Sequence, residues 1–295
     1  MQRRAATERP VLAVAGLTTI AMLAFAANSL LCRLALQQDR IDPASFGAVR
    51  LLAGALVLAL VMQAKRQPVT GSGGWRSAVL LFAYVALFSF AYVSLPAGTG
   101  ALILFGAVQL TMLGAGLLAG ERFAAAGWCG LLLACAGLAV LLLPGAAAPS
   151  LFGALLMAGA GVAWGGYSLR GRGAGDPLAA TAGSFLRAAP MGVLLSLGVW
   201  LAPATQVHAD ARGVVLAVAS GAVTSGLGYV VWYAALRRLS ALRAAVVQLS
   251  VPLIAAAGGA LLLEEAFTLR LGVSALAILG GIALVLGSRA AGKGR

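Results

Sequence analysis

Residues 119–144 read AGERFAAAGWCGLLLACAGLAVLLLP, and residues 263–288 read LEEAFTLRLGVSALAILGGIALVLGS. Each opens with a glutamate two places before a phenylalanine, Glu121 with Phe123 and Glu265 with Phe267. Each continues as an apolar run of the length needed to cross a hydrocarbon core of about 30 Å, with Gly137 and Gly281 at the same offset. Neither run alternates polar and apolar residues as a membrane β-strand does. In hydrocarbon the backbone must satisfy its own hydrogen bonds, so both runs are expected to be helices. An acidic turn followed by a membrane helix, occurring twice, predicts an all-α membrane protein made of two similar halves.

The same pattern extends over the chain. Apolar runs bounded by charge, Gly or Pro occupy 11–36, 43–63, 76–95, 97–119, 124–144, 150–169, 178–202, 212–235, 242–263 and 269–288. This reading gives ten transmembrane helices, divided into a first repeat over 1–147 and a second over 148–295. Ser94-Leu95-Pro96-Ala97-Gly98 marks a tight reversal between the third and fourth runs. Phe25 to Arg33 overlays Trp164 to Arg172, and Arg50 finds a counterpart in Arg187. Five spans is an odd number, so the second half enters the membrane from the opposite side, and the repeat is inverted. Two inverted halves can exchange conformations around a site near the midplane, which is the geometry of alternating access.

Lys and Arg fix the expected orientation. With the N-terminus in the cytoplasm, fifteen of the 21 basic residues fall on the cytoplasmic side, including Lys65, Arg66, Arg122, Arg170, Arg237 and Arg238. Only Arg40, Arg212 and Arg270 fall opposite, and Arg33, Arg50 and Arg187 lie within helices or near their ends. Both termini are therefore expected in the cytoplasm. Arg3 and Arg4 ahead of an apolar stretch ending at Ala24-Phe25-Ala26 resemble a cleavable signal. The run continues to Leu36, long enough to span, so the expectation is a permanent first helix.

Of the 295 residues, 61% are hydrophobic and 10% charged, against about 25% charged in a soluble domain. The net charge of +13 sits in loops and forms no basic face with interleaved aromatics, so nucleic-acid binding is not expected. Cys32, Cys129 and Cys135 lie in apolar runs with no CxxC pair and no nearby histidine, and His208 sits in a polar connection. No metal site or disulfide framework is expected.

The stretches Gly226 to Ser240, Arg243 to Pro252 and Leu261 to Glu265, followed by a glycine-rich last helix, resemble the second repeat of the EamA-type carriers of the drug/metabolite transporter superfamily. The resemblance covers nearly the whole chain. It implies ten helices in two inverted five-helix repeats around a central cavity, and many bacterial members export amino acids or related metabolites. The first half departs from the pattern at Val108, where the second half has Pro252, and at Ala26, where the family usually has glycine.

Polar groups inside a membrane are costly and mark candidate function. Asn28 and Ser29 in the first span, Gln109 in the fourth and Gln248 in the ninth are such groups. Gln248 is preferred over Gln109 because Ser250 and Pro252 follow it and a proline frees a backbone carbonyl. Tyr84, Phe88 and Tyr92 form one stripe at a spacing of four, and Ser225, Tyr229, Trp232 and Tyr233 form another in the corresponding repeat position. Trp164 and Tyr167 complete the set. The expected substrate contacts are Asn28, Tyr84, Phe88, Tyr92, Trp164, Tyr167, Tyr229, Trp232, Tyr233 and Gln248, each of which also has a plain packing or anchoring reading. Arg50 and Arg187 are assigned structural roles, reaching to the interface or bonding carbonyls of a neighbouring helix, in preference to substrate contact.

All eight acidic residues fall in loops or at helix ends, and there is no GxxxxGK[ST] loop. The expectation is a carrier without proton or ATP coupling and without a cofactor, moving a small neutral or zwitterionic metabolite, amino acids first, out of the cell. A nucleobase, a sugar derivative, a drug or a proton-coupled mode stay open as alternatives. No histidine or carboxylate accompanies the intramembrane serines, so an enzyme is not expected. The remaining expectations are a bacterial inner membrane, lipid as surroundings, and a monomer.

Overall fold

Asp42-Pro43 and Asp176-Pro177 start two helices in the same way. Each aspartate caps by accepting from the amides two and three residues ahead, and each proline takes the first helical position, where no N–H is needed. In the computed structural model the described residues are 2–68, 73–120, 124–144, 148–171, 175–202, 207–239 and 247–292. Among them are ten helices and no strand: α1 (Gln2–Gln37), α2 (Pro43–Ala64), α3 (Trp75–Ala91), α4 (Ala97–Leu118), α5 (Ala125–Leu142), α6 (Leu151–Gly171), α7 (Pro177–Leu201), α8 (Ala211–Leu236), α9 (Ser250–Leu262) and α10 (Leu269–Gly292). Eight are long and apolar enough to cross a membrane, whereas α3 and α9 are shorter apolar helices.

The third run was expected to reach residue 95, but α3 stops at Ala91. Tyr92 to Ser94 turn and Pro96 caps α4, because a residue before proline is pushed out of the helical region. The ninth run was expected from 242; residues 240–246 lie outside the described residues, and α9 begins at Ser250. Pro252 falls in its first turn, where its missing N–H breaks no intrahelical bond. A feature with no expectation behind it is the π-helical stretch Ser220–Leu227 inside α8, where the ladder shifts to i→i+5.

Glycine sets the closest contacts. α5 and α10 pack antiparallel, Gly130 and Ala134 against Gly281, and Gly137 against Ala277 and Ile278. α2 and α7 are also antiparallel, Gly54 meeting Phe185 while Gly192 meets Leu51 and Ala48. Gly221 in the π-helical stretch touches the backbone of Arg50, joining α8 to α2. Large apolar side chains such as Leu118, Leu261 and Leu269 stand exposed on the outside, as they do where lipid rather than water is the solvent.

Candidate functional site

The centre of the bundle is an aromatic and polar cavity closed down to room for about one water molecule. Its walls come from α1 (Phe25, Asn28, Ser29), α3 (Tyr84, Phe88), α4 (Leu104, Phe105), α6 (Trp164) and α8 (Thr224, Tyr229). Trp164 is the hub, with ring centroids at 4.8 Å from Tyr229, 4.9 Å from Tyr84, 5.5 Å from Tyr167 and 6.1 Å from Phe25. Phe25 meets it edge-on and the other three rings are tilted against it, all within the centroid range at which aromatic pairs attract.

A hydrogen-bond network lines one side. Ser220 Oγ donates to Asn28 Oδ1 at 2.7 Å, and the Thr224 hydroxyl, which donates to the Ser220 carbonyl at 2.8 Å, lies 3.3 Å from the same oxygen. Asn28 Nδ2 donates to Tyr84 Oη at 3.3 Å. Arg50 Nη2 donates to that hydroxyl at 3.1 Å, and Arg50 Nε donates to Ser225 Oγ at 3.0 Å. The π-helical stretch is what presents Ser220, Thr224 and Ser225 together to α1 and α2. Arg50 therefore does not snorkel, and among the described residues it bonds no carbonyl: it is wholly buried and held by two hydroxyls.

The two ends of the bundle differ. At one, Arg33 Nε donates to Glu265 Oε1 at 3.0 Å, and Arg33 Nη1 donates to the carbonyls of Tyr92 and Val93. Glu265 Oε2 accepts from the Ala97 amide at 2.7 Å, a carboxylate at the positive end of α4. One carboxylate thus ties α1, the α3–α4 turn and the segment after α9 together, with the two side chains only 13% and 11% exposed. Nearby, Arg40 pairs with Asp210 at 3.0 Å and His208 Nε2 lies 2.9 Å from Asp39 Oδ1. At the other end a cavity of about 270 Å³ stands open between α3, α6, α7 and α8, with Ser77, Tyr167, Arg170, Thr181, Ser184 and Tyr233 among its walls. Trp164, Tyr167 and Arg170 follow one face of α6 from the closed cavity to the open one.

Of the residues expected to contact substrate, Asn28, Tyr84, Phe88, Trp164 and Tyr229 meet at the central cavity, and Tyr167 and Tyr233 line the open one. Tyr92 is buried against Phe88, with its hydroxyl donating to the Ala97 carbonyl. Trp232 packs edge-on to Phe25. Gln248 is buried but outside the lining of both cavities. Sequence reasoning passed over Leu104 and Phe105, which look like any apolar residue, and Ser220 and Thr224, whose polarity inside an apolar run was a usable signal.

The EamA-like transporter family model matches residues 13–143 and again residues 151–287. The chain belongs to the EamA-like transporter family. It is a multi-pass membrane protein of the drug/metabolite transporter type, and its family is one of transporters, not of enzymes. The uncharacterized protein PA1977 of Pseudomonas aeruginosa is 56% identical over 274 residues, spanning 92% of this chain and 94% of that protein. A solved crystal structure aligns with a TM-score of 0.65 at 21% identity, covering 93% of this chain and 97% of that one, a likeness of fold alone. The first match ends just past α5 and the second within α10, the two glycine-packed helices.

Proposed function

We propose that this EamA-like protein exports small metabolites, amino acids first, across a bacterial inner membrane by alternating access. Its ten helices all lie in the membrane as two inverted five-helix repeats, with both termini in the cytoplasm. The antiparallel packing of α5 on α10 and α2 on α7 supports inversion, and the bias of Lys and Arg supports the orientation. In that orientation the Arg33 end faces outward and the Arg170 end faces the cytoplasm.

The observation that carries the reading is the difference between those ends: a buried carboxylate latch at one, and at the other an open cavity of about 270 Å³, with a closed polar and aromatic centre between them. That is the arrangement of a carrier open to the side from which it loads. Amides, hydroxyls and aromatic faces at the centre suit a small zwitterion. The buried latch carboxylate is already paired with Arg33, so we read transport as movement down the solute's own gradient, by a single chain.

Purified protein in liposomes, given radiolabelled L-amino acids, nucleobases and sugars, tests this. Uptake of amino acids that saturates and does not change when a pH gradient is imposed is the expected result. Saturable uptake confined to nucleobases or sugars would replace the substrate, strong acceleration by a pH gradient would replace the coupling, and no saturable flux of any solute would overturn the reading.

A further inference from the structure

Among the described residues Arg50 is a cation with no carboxylate to neutralise it. It lies eight residues beyond the α2 cap, about 12 Å along the helix, and has no solvent exposure. A buried guanidinium in a membrane bundle is strongly unfavourable unless an anion meets it. Among the described residues the ion pairs are Arg33 with Glu265, Arg40 with Asp210 and His208 with Asp39, and none involves Arg50. Its partners are the neutral Ser225 and Tyr84 hydroxyls and the faces of Tyr84 and Phe88, at 5.1 and 4.9 Å from the guanidinium carbon. Among the described residues Nη1 has no hydrogen-bond partner.

The donors around this charge converge. Arg50 Nη2 and Asn28 Nδ2, from two different helices, both donate to the single oxygen of Tyr84, at 3.1 and 3.3 Å. Tyr84, Phe88 and Asn28 are walls of the central cavity. An oxygen that accepts from a guanidinium and an amide, beside a further unused N–H of the same guanidinium, occupies the place of one oxygen of a carboxylate. The second oxygen would take Nη1, completing the two-pronged pairing for which the planar fork is suited. A neutral hydroxyl satisfies the hydrogen bonds of this set but not its charge.

We infer that Arg50 is the anion-binding residue of the transport site and takes the carboxylate of an amino acid or other small carboxylic acid, displacing the Tyr84 hydroxyl. The inference rests on the transport reading above and narrows it to carboxylate-bearing solutes.

The test is liposome uptake of radiolabelled L-amino acids, their matching primary amides and monocarboxylic acids without an amino group, by the wild type and by Arg50→Gln and Arg50→Lys. The wild type should carry each acid at least about tenfold faster than its amide, as expected when a buried charge pair is lost. Arg50→Gln should bring that ratio to about one, and Arg50→Lys should keep the preference at a reduced rate. Uptake of the amino-free acids alongside amino acids would identify the carboxylate as sufficient; their exclusion, with the ratio intact, would still assign the carboxylate to Arg50. If Arg50→Gln does not elute as a single species in detergent, the comparison of acid with amide on the wild type decides alone. Equal wild-type uptake of acid and amide, or an unchanged ratio in Arg50→Gln, overturns the role of Arg50 while leaving transport standing. Saturable flux of nucleobases or sugars alone overturns it too, and no flux of any solute removes the transport reading on which it rests.

Discussion

The two halves begin their second helices alike, yet the charges they carry inside meet different fates. α2 and α7 each start from an aspartate cap and a proline. Arg50 stands eight residues after its cap and Arg187 eleven after its own, so the position that matches Arg50 in α7 is Ser184. Arg50 lies behind the closed central cavity, while Ser184 lines the open one. Arg187 is partly exposed and donates back to Gly183 of its own helix at 2.9 Å. Repeated caps fix where a helix starts, and what reaches the middle is decided by what packs against it. Arg50 is buried because Gly221 brings the π-helical stretch of α8 onto its backbone.

The final helices of the two halves offer the largest test of this divergence. Gly137 and Gly281 hold matching positions, but a methyl added at Gly281 would lie 2.5 Å from the Gly130 carbonyl oxygen and 2.7 Å from the Ala134 nitrogen. One added at Gly137 would meet the Ala277 Cβ at 2.7 Å and both Cγ1 and the backbone nitrogen of Ile278 at 3.0 Å. The contacts at Gly281 are closer and fall on backbone that cannot step aside, whereas at Gly137 the backbone contact is the longer one, so Gly281→Ala should destabilise by about 3 kcal/mol and Gly137→Ala by less, about 2 kcal/mol. Thermal unfolding of the two variants in one detergent checks this, and equal losses would mean that the halves pack alike after all.

The next effect concerns the two ends. Arg33→Ala leaves Glu265 nearly buried without its partner, a loss of about 2 kcal/mol after allowing for the residual exposure. It should also open the outer end. Cys32, the neighbour of Arg33, is fully buried, so with Cys129 and Cys135 replaced by serine its labelling by a maleimide should be slow in the wild type and faster in Arg33→Ala. Glu265→Gln, which keeps an acceptor for the Ala97 amide but drops the charge, should fall between. Unchanged labelling in both variants would show that other contacts hold the end shut.

How far this was legible in the sequence depends on how local each signal is. Apolar length is local, so the fifth run, read as 124–144, appears as Ala125–Leu142, and the sixth, read as 150–169, as Leu151–Gly171. The stripe through Tyr84 and Phe88 is local too, and it marks one helical face. The latch is not: Arg33 and Glu265 are 232 residues apart, and each alone looks like a charge near a helix end. Nor is the split of the aromatics between two cavities, since the stripe in α8 says that Tyr229 and Tyr233 share a face but not that one meets Trp164 and the other the open mouth. The π-helical stretch leaves no periodic mark of its own. The burial of Arg50, the feature on which the substrate class turns, follows from that stretch and stayed hidden with it.

The smallest effect separates the three aspartate caps. Asp42 and Asp176 cap through two amides each, whereas Asp210 accepts from the Gly213 amide at 2.6 Å and pairs with Arg40 across the loop from α1. The Gly213 amide first, and then the Arg40 guanidinium, hold the Asp210 carboxyl below its ordinary value of 3.8. A carboxyl with a depressed folded value stabilises above its unfolded value, and that contribution is lost as pH falls through the folded one. Wild type should therefore unfold at a slightly higher temperature than Asp210→Asn at neutral pH, by a margin that is constant down to about pH 5 and shrinks below it. The margin should stay small, because the pair is exposed and screened by salt. A margin that survives unchanged at pH 3 would assign the whole effect to the shape of the cap and none to its charge.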